Sequence, residues 1–509
     1  MPIQYGPRGF WNWKEVQALL SLAIPVSITY LTFFFMYIVD TLVVGRLGKT
    51  YLAAAALANT WCNCMILMGK GILTALDPLC AQAYGAKRYR AVGIALQRGI
   101  LAMVLVTVPV SLSWWRAEDA LLWLGQSAEL ASLAGTFARR LIPSILPSLL
   151  FDCLQKYLQS QSITKPSLVI GFVCNVINLF LNIVLVFGVG SLYLGLGFVG
   201  APVATVITTL VQVLLLWLYI YYHKIHTRTW PGWSWECLQW KGTLEFWKLG
   251  IPGALMYIGE SWGYESISLL AGILGVTSLA AHNILFNMIA VAFFLYLGIG
   301  VASSTRVGNT LGANLPFEAK RASWLASLFV TVLGLLCGFF LYYFRFSIAS
   351  FYTRDDGVIQ QVAFTTPLSC VVTLLDGIQT IFAGVLRGMG NPVPAVVCYL
   401  VGFYVIGLPT SILLAFRLGF RLNGLWFGLV VGLLFICVAE FEYLRRRNWI
   451  EQAKQAMYTS ARDLPIEMNV SDNQYSVVDD LSSFTLGEEE ANDTELKEET
   501  ANSNGHNMF

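Results

Sequence analysis

Charged side chains are scarce in this chain of 509 residues: Asp, Glu, Lys and Arg make up 12%, about half of the roughly 25% usual in a soluble globular domain. That excludes an ordinary soluble enzyme. Histidine is nearly absent: of four, His223 and His226 share one polar linker and His506 lies near the end of the sequence. No zinc framework and no nucleophile–base pair can be built from them at membrane depth, which excludes a membrane-embedded enzyme. The ten cysteines contain no C-x-x-C pair and lie mostly in apolar stretches, so a disulfide scaffold is excluded. Cys62 and Cys64, the closest two, read as small apolar filler. There is no single basic domain either, since Lys and Arg fall in short clusters between apolar runs, and a nucleic-acid partner is excluded with it. A short signal-peptide core is also missing. The apolar run that follows Arg8, Lys14 and Glu15 continues to about Tyr37, too long to be cleaved away, and the first span is expected to stay in the protein.

What is present is apolar length. Hydrophobic residues make up 56% of the sequence, and they form runs near the ~20 residues that cross a bilayer. Twelve helices are expected, near 19–43, 51–77, 93–115, 132–160, 167–190, 197–222, 246–274, 279–305, 322–344, 358–386, 393–416 and 424–444. The runs are continuous rather than alternating, which excludes a membrane β-barrel. The fold class is therefore all-α integral membrane. The chain divides into an N-terminus (1–18), an N-lobe of six helices (19–222), an inter-lobe linker (223–245), a C-lobe of six helices (246–450) and a polar tail (451–509). The tail holds 13 acidic residues against Lys454, Arg462 and Lys497, and is expected to be disordered.

With an even number of spans both termini share one face. That face collects 18 basic residues, among them Lys87, Arg88, Arg90, Lys320, Arg321 and Arg445 to Arg447, against nine on the other face. The bias assigns both termini to the cytoplasm. The two Asn-x-Ser/Thr sequons, at Asn469 and Asn492, then face the cytosol and escape glycosylation. Trp230, Trp233, Trp235 and Trp240 in the linker read as an interfacial belt.

The sequence repeats itself at an offset of 227. Ile24-Pro25 returns as Ile251-Pro252, Gly45-x-Leu47-Gly48 as Gly272-x-Leu274-Gly275, Leu52-Ala53-Ala54 as Leu279-Ala280-Ala281, and Gly85-Ala86 as Gly312-Ala313. Asp152-x-Leu-Gln155 faces Asp376-x-Ile-Gln379 at 224. A period of six spans is even, so the copies enter the membrane from the same side as parallel repeats. That arrangement serves transporters that rock about a site between their halves, and no filter-like motif points to a channel instead. Pro25 and Pro252 sit at matched positions where they free backbone carbonyls and permit bending.

Ionisable groups inside a span are costly and mark candidate sites. Glu260 and Glu265 lie five residues apart in span seven, about 500° of helical rotation and hence roughly 140° apart around the axis. One can face a central cavity while the other faces a helix contact. A carboxyl in a low-dielectric cavity exchanges its proton near neutral pH in competition with a bound cation; the competing reading is a buried glutamate hydrogen-bonded to a neighbouring helix. Asp376 in span ten is the next candidate, although its repeat mate Asp152 allows a purely structural Asp-x-x-Gln tie. Asp40, at the outer end of span one, is open to either proton binding or a boundary salt bridge with Arg46. Asp77 precedes Pro78 and reads as a helix end. Glu260, Glu265, Asp376 and Asp40 are thus the expected proton-coupling residues. Trp262 and Tyr264 flank the glutamates and are placed to stack on a cation, with packing as the alternative. His282 and Asn287 in span eight complete the expected substrate-binding set, with cross-helix hydrogen bonding as the alternative.

At these residues the sequence resembles the multidrug and toxic compound extrusion (MATE) family, over roughly residues 15 to 450. The likeness rests on Ala75-Leu-Asp-Pro-Leu-Cys-Ala-Gln-Ala-Tyr-Gly-Ala86, Leu158-Gln-Ser-Gln-Ser-Ile163, Arg306-Val-Gly-Asn-Thr-Leu-Gly312 and Gly384-Val-Leu-Arg-Gly-Met-Gly-Asn391. The linker Trp230-Pro-Gly-Trp-Ser-Trp-Glu-Cys-Leu238 and the Glu-x-x-x-x-Glu of span seven look like the eukaryotic branch. The resemblance implies twelve helices in two six-helix lobes and exchange of protons for organic cations or metabolites, with Glu260, Glu265 and Asp376 handling protons and substrate. Asp40 matches a span-one aspartate used by one bacterial branch. At Asn287 the chain departs from animal relatives that carry a further glutamate, which argues against strongly cationic drugs as substrates. The expected function is a proton-coupled antiporter exporting organic cations, xenobiotics or amphipathic metabolites by rocking of its lobes. Sodium coupling and a lipid flippase are the alternatives. The expectation includes no cofactor and no metal, a monomer in the lipid bilayer, and a plasma-membrane or vacuolar/endomembrane location.

Overall fold

The structure, a computed structural model, describes residues 13–188, 195–230 and 232–461. Among these residues every regular element is a helix. Ten helical runs are long and apolar enough to cross a bilayer: Trp13–Gly45 (span one), Lys49–Gly85 (two), Tyr89–Trp115 (three), Lys165–Phe187 (five), Gly197–Tyr222 (six), Val276–Gly312 (eight), Pro316–Tyr343 (nine), Asp356–Gly388 (ten), Val393–Arg417 (eleven) and Arg421–Arg446 (twelve). Span seven is the helix Trp240–Ile273, diluted in apolar character by Lys241, Glu245, Lys248, Glu260 and Glu265. Span four runs Ala128–Leu141, tightens through a 3₁₀ turn at Ile142–Ser144, and continues as Ile145–Ser160. Pro143 and Pro147 cannot donate to the helical ladder, which accounts for that turn. Twelve spans result.

The repeat is visible in the turns. Spans two and eight each begin after a glycine with positive φ, Gly48 at 132° and Gly275 at 118°, a backbone that residues with a Cβ rarely adopt. Short helices Ala117–Trp123 and Arg345–Tyr352 occupy matching connections before spans four and ten. Spans one and seven stay helical through Pro25 and Pro252.

The two hydrophobic cores follow the lobes, with one exchange. Val16, Leu19, Leu22 and Ala23 of span one pack into the core of the C-lobe, while Phe246 and Ala254 of span seven pack into that of the N-lobe. Leu19 and Phe246 are repeat mates, both fully buried. The first helix of each lobe therefore starts inside the other.

Between the lobes, spans one and eight and spans two and seven approach closely enough to exclude side chains. A Cβ on Gly71 would lie 2.4 Å from Cα of Ala254, and one on Gly298 2.5 Å from Cα of Ser27. Nearer the face that carries the termini, a Cβ on Gly85 would lie 2.0 Å from the carbonyl oxygen of Asn309, and one on Gly312 2.0 Å from that of Gln82. Each pair is the image of the other at offset 227, so the contacts are reciprocal about a pseudo-twofold axis along the membrane normal, as parallel repeats require. Toward the opposite face Tyr37, Leu42, Leu269 and Ile273 on the same helices are exposed.

The polar segment from Glu451, expected to be disordered, begins instead with a helix, Trp449–Ala461. Trp449, Ala453 and Ala456 are buried on one side of it, at the spacing of an amphipathic face, and Arg88 of the N-lobe donates to the Met457 carbonyl at 2.8 Å. The acidic remainder of the tail, with Asn469 and Asn492, lies outside the described residues. The linker is ordered too: Arg98 donates to the carbonyls of Glu236 and Cys237, Gln97 to that of Gly232, and Arg90 pairs with Glu236 at 2.6 Å. Trp233, Trp235 and Trp240 remain exposed.

Candidate functional site

Inside the C-lobe, Gln379 sits one turn from Asp376 on span ten and places its amide between two carboxylates. Its Nε2 donates to Glu260 Oε1 at 3.0 Å and to Asp376 Oδ1 at 2.9 Å. Tyr264, one turn beyond Glu260 on span seven, donates its hydroxyl to Asp376 Oδ1 at 3.1 Å. The i, i+4 and i, i+3 spacings on the two helices make this square of four side chains possible. Asp376 and Gln379 are buried, whereas Glu260 is partly exposed, so the cluster reaches solvent through the glutamate.

Span eleven supplies the wall. Its helix widens to π geometry over Val401–Gly407, a distortion frequent at functional sites. That turn brings Tyr404 to donate to the Gly259 carbonyl at 2.9 Å and Phe403 to pack at 5.8 Å on the Tyr264 ring. A Cβ on Gly263 would sit 2.8 Å from the Phe403 ring, which is why the residue before Tyr264 has no side chain.

Glu265 is not part of this cluster. It lies elsewhere on span seven, exposed, on the side of Cys64 of span two. Trp262 is half-exposed and Asn287 exposed. His282 is fully buried, its Nε2 2.8 Å from Ser268 Oγ, between the rings of Phe286 and Trp426. Of the expected substrate-binding residues only Tyr264 touches the carboxylate pair.

In the N-lobe Asp40 stands apart. Asn182 donates to Asp40 Oδ1 at 2.7 Å and Thr205 to Oδ2 at 3.0 Å, while Asn178 bonds Asn182 at 3.1 Å. The alternative salt bridge with Arg46 does not form: the partners are neutral oxygen-bearing side chains. Asp77, read as a helix end, sits in the first turn of the helix Leu76–Gly85, inside the longer Lys49–Gly85 run. It pairs with Lys156 of span four at 2.5 Å and, across the lobe interface, stands 3.7 Å from Nε of Arg387 in span ten. Pro78 displaces the helix break to the 3₁₀ turn Leu73–Ala75 just before it. Asp152 and its mate Asp376 have diverged: Lys70 and Lys156 are the cations near Asp152, whereas Asp376 has Gln379 and Tyr264.

Several residues escaped the reading of the sequence. Gln379 was visible only as half of a repeated Asp-x-x-Gln. Asn178, Asn182 and Thr205 carry no signal, being ordinary polar residues of apolar helices. Glu440 carried a clear one, an ionisable group well inside span twelve. On the terminal side Glu15 of span one, 3% exposed, takes both ends of the Arg306 guanidinium of span eight at 2.7 Å, a second charged tie between lobes. No group of three or more His, Cys, Asp or Glu able to hold a metal occurs among the described residues.

Comparison with known proteins agrees with this architecture. A family model described as MatE matches residues 25–184 and 252–413, two segments that begin at the repeated Ile-Pro. Multidrug and toxin extrusion protein 1 of Xenopus tropicalis is 32% identical over 466 residues, covering 91% of this chain and 80% of that protein. Multidrug and toxin extrusion protein 2 of Mus musculus is 35% identical over 445 residues, 87% of this chain and 76% of that protein. Among solved structures, the eukaryotic MATE transporter AtDTX14 superposes with a TM-score of 0.83 at 29% identity, over 88% of this chain and 99% of that one. A Vibrio cholerae MATE transporter, at 19% identity and a TM-score of 0.78, shares the fold.

Proposed function

The chain belongs to the MatE family and is a multi-pass membrane transporter rather than an enzyme, and from that premise we propose that it is a proton-coupled antiporter exporting organic cations, xenobiotics or amphipathic metabolites. The supporting observation is the pair Glu260 and Asp376, both accepting from one amide of Gln379. Two carboxylates so close in a low-dielectric site are costly to hold as anions together. The pair therefore takes up either a proton or a cationic substrate, and each displaces the other. Glu260, which reaches solvent, is the exchange point. Tyr264 and Gln379 orient Asp376, and Trp262 and Tyr264 offer ring faces to a cation. Glu265 adds charge on the lobe interface near Cys64, and Asn287 a polar contact in span eight. His282 holds span eight to span seven through Ser268.

Alternation follows from the reciprocal glycine contacts, which close one face while the other stays accessible. Both termini lie in the cytoplasm, where the basic excess of the body falls, in the plasma membrane or an endomembrane. The unit of transport is a monomer, since each chain carries both lobes.

A second reading has its own observation. Asp40 accepts from the Asn182 amide and the Thr205 hydroxyl, with Asn178 Oδ1 next to them. A carboxylate beside side chains that also carry oxygens suits a hard monovalent cation once those donors turn away, which favours sodium coupling through the N-lobe. The full-length protein in liposomes, loaded with a fluorescent organic cation, separates the two. Under an imposed pH gradient the wild type exchanges substrate, Glu260→Gln does not, and Glu265→Gln retains part of the rate. Undiminished pH-driven exchange in Glu260→Gln overturns the assignment, and uptake driven by sodium alone and lost in Asp40→Asn establishes the second reading.

A further inference from the structure

Glu440 lies on span twelve behind the site, and nothing above gives it a role. It is completely buried, and neither carboxyl oxygen has a hydrogen-bond partner. An anion held this way forfeits its solvation with nothing donating to it. Its titratable and charged surroundings are Glu260 from span seven, Arg387 from span ten, Cys398 and Tyr399 from span eleven and Cys437 from its own helix. Arg387 is the one cation among them.

Arg387 faces Asp77 and Glu260, with Tyr257 and Tyr399 beside it, and its charge also bears on Glu440. Of the three carboxylates Asp77 has Lys156 and Glu260 has the Gln379 amide, and Glu440 alone has no donor. Arg387 Nε stands 3.7 Å from Asp77 Oδ2 of the N-lobe without completing a hydrogen bond, long against the roughly 2.7–2.9 Å of a charge-assisted contact. It is nonetheless a C-lobe residue, carried by span ten, and it moves with Glu440 when the lobes separate. Asp77 does not need it. Lys156, in the same lobe as Asp77, already holds that carboxylate at 2.5 Å, so the loss of Arg387 leaves no orphan anion in the interface.

We propose that Glu440 is a second proton-binding site of the C-lobe, and that Arg387 displaces its proton when the lobes part on the terminal side. With the lobes closed there, Arg387 faces Asp77 and Glu440 is the neutral acid. When they open, Arg387 turns from Asp77 to Glu440. The O–H bond of the acid breaks, its proton passes to water on the terminal side, and the new carboxylate pairs with the guanidinium. Asp77 keeps the Lys156 ammonium, so charge balances with one proton released and no other bond changed. The inference rests on the antiporter reading and deepens it: proton release is tied to the opening of a particular interface.

The test uses the full-length protein in lipid bilayers and has two arms. In infrared difference spectra the wild type shows the carbonyl stretch of a protonated carboxyl, shifted by deuterium oxide and absent in Glu440→Gln. Asp77→Asn frees Arg387 and diminishes the same band at neutral pH. A spectrum unchanged by Glu440→Gln, or a band indifferent to Asp77→Asn, overturns the proposal. In proteoliposomes Glu440→Gln flattens the dependence of exchange on terminal-side pH, lowering it roughly ten-fold where the wild type is fastest, the effect of about one unit in proton affinity. Glu440→Asp restores the profile. A Gln variant whose pH profile superimposes on the wild type refutes the role, and absence of pH-driven exchange in the wild type refutes the antiporter reading while the spectra still decide Glu440.

Discussion

The reciprocal glycine contacts can be made to fail on purpose. Replacing Gly312 with alanine puts a methyl group 2.0 Å from the Gln82 carbonyl oxygen and 2.8 Å from its Cα. The obstacle is backbone, so no side chain can rotate away, and spans two and eight must separate. Overpacking of this kind costs about 1–3 kcal/mol. The penalty falls only on the arrangement closed at the terminal side, so the equilibrium between arrangements shifts by roughly 5- to 150-fold toward opening. Hydrogen exchange followed by mass spectrometry reads that shift as faster amide exchange over residues 78–88 and 303–313, because exchange through opening tracks the open population. Gly85→Ala, which meets the Asn309 carbonyl at the same 2.0 Å, is expected to match it. Gly45→Ala and Gly272→Ala are the controls. Their methyl groups meet only leucine side chains at 3.8 and 3.9 Å, and a helical Gly→Ala change by itself stabilises by up to about 1 kcal/mol. If exchange at the crossing is the same in Gly312→Ala as in Gly272→Ala, the crossing is not the gate and the argument from close approach is wrong.

Glu15→Gln removes the charge from the two-pronged pair with Arg306, whose guanidinium is partly exposed; losing a charged hydrogen bond costs about 1.5–3 kcal/mol, and a lowered melting temperature together with faster exchange in span one checks it, while an unchanged melt removes the tie from the gate. Tyr264→Phe deletes the hydroxyl donated to Asp376, a bond to a charged group contributing about 1.5–3 kcal/mol; the expected outcome is slowed exchange with membrane expression intact, and wild-type rates would show that Asp376 needs no orientation. Asn469 and Asn492 are expected to carry no glycan when the chain is made in a glycosylating cell, and a mobility shift on endoglycosidase treatment would reverse the orientation.

Much of the architecture was legible because duplication leaves marks that apolar composition cannot erase. Gly48 and Gly275, Gly85 and Gly312, and Pro25 and Pro252 are fixed by backbone geometry, and backbone geometry repeats when a fold repeats. The boundaries were less legible. Span four reads as one apolar run, and only prolines 143 and 147 hint at its tightened turn. The helix Trp449–Ala461 was hidden because its buried face is small: Ala453 and Ala456 contribute little hydropathy yet pack fully. At the site, Glu260 and Asp376 announced themselves as charges at membrane depth. Their link through Gln379 did not, because two helices 119 residues apart must be placed before an amide can be seen to join them. The Asp40 surroundings were illegible for the same reason, since asparagine and threonine are common in membrane helices and gain meaning only from what they face.

The symmetric and asymmetric parts of the molecule divide the work of transport. Two close approaches between the lobes have their images: Gly71 on Ala254 with Gly298 on Ser27, and Gly85 on Asn309 with Gly312 on Gln82. Such contacts define an axis about which two similar bodies can tilt, and they contain no preference for a direction of ion flow. The charges break the symmetry. Glu260 aligns with Phe33, Asp40 with Ile267, and Asp152 keeps two lysines near it where Asp376 has an amide and a phenol. A rocking pair of identical lobes would bind the same ligand in both and couple nothing. Coupling needs one lobe whose affinity for a proton depends on the arrangement, and a cation that changes partners with it. Arg387, 3.7 Å from Asp77 of the other lobe and with its charge bearing on the unpartnered Glu440 of its own, has the position such a cation requires.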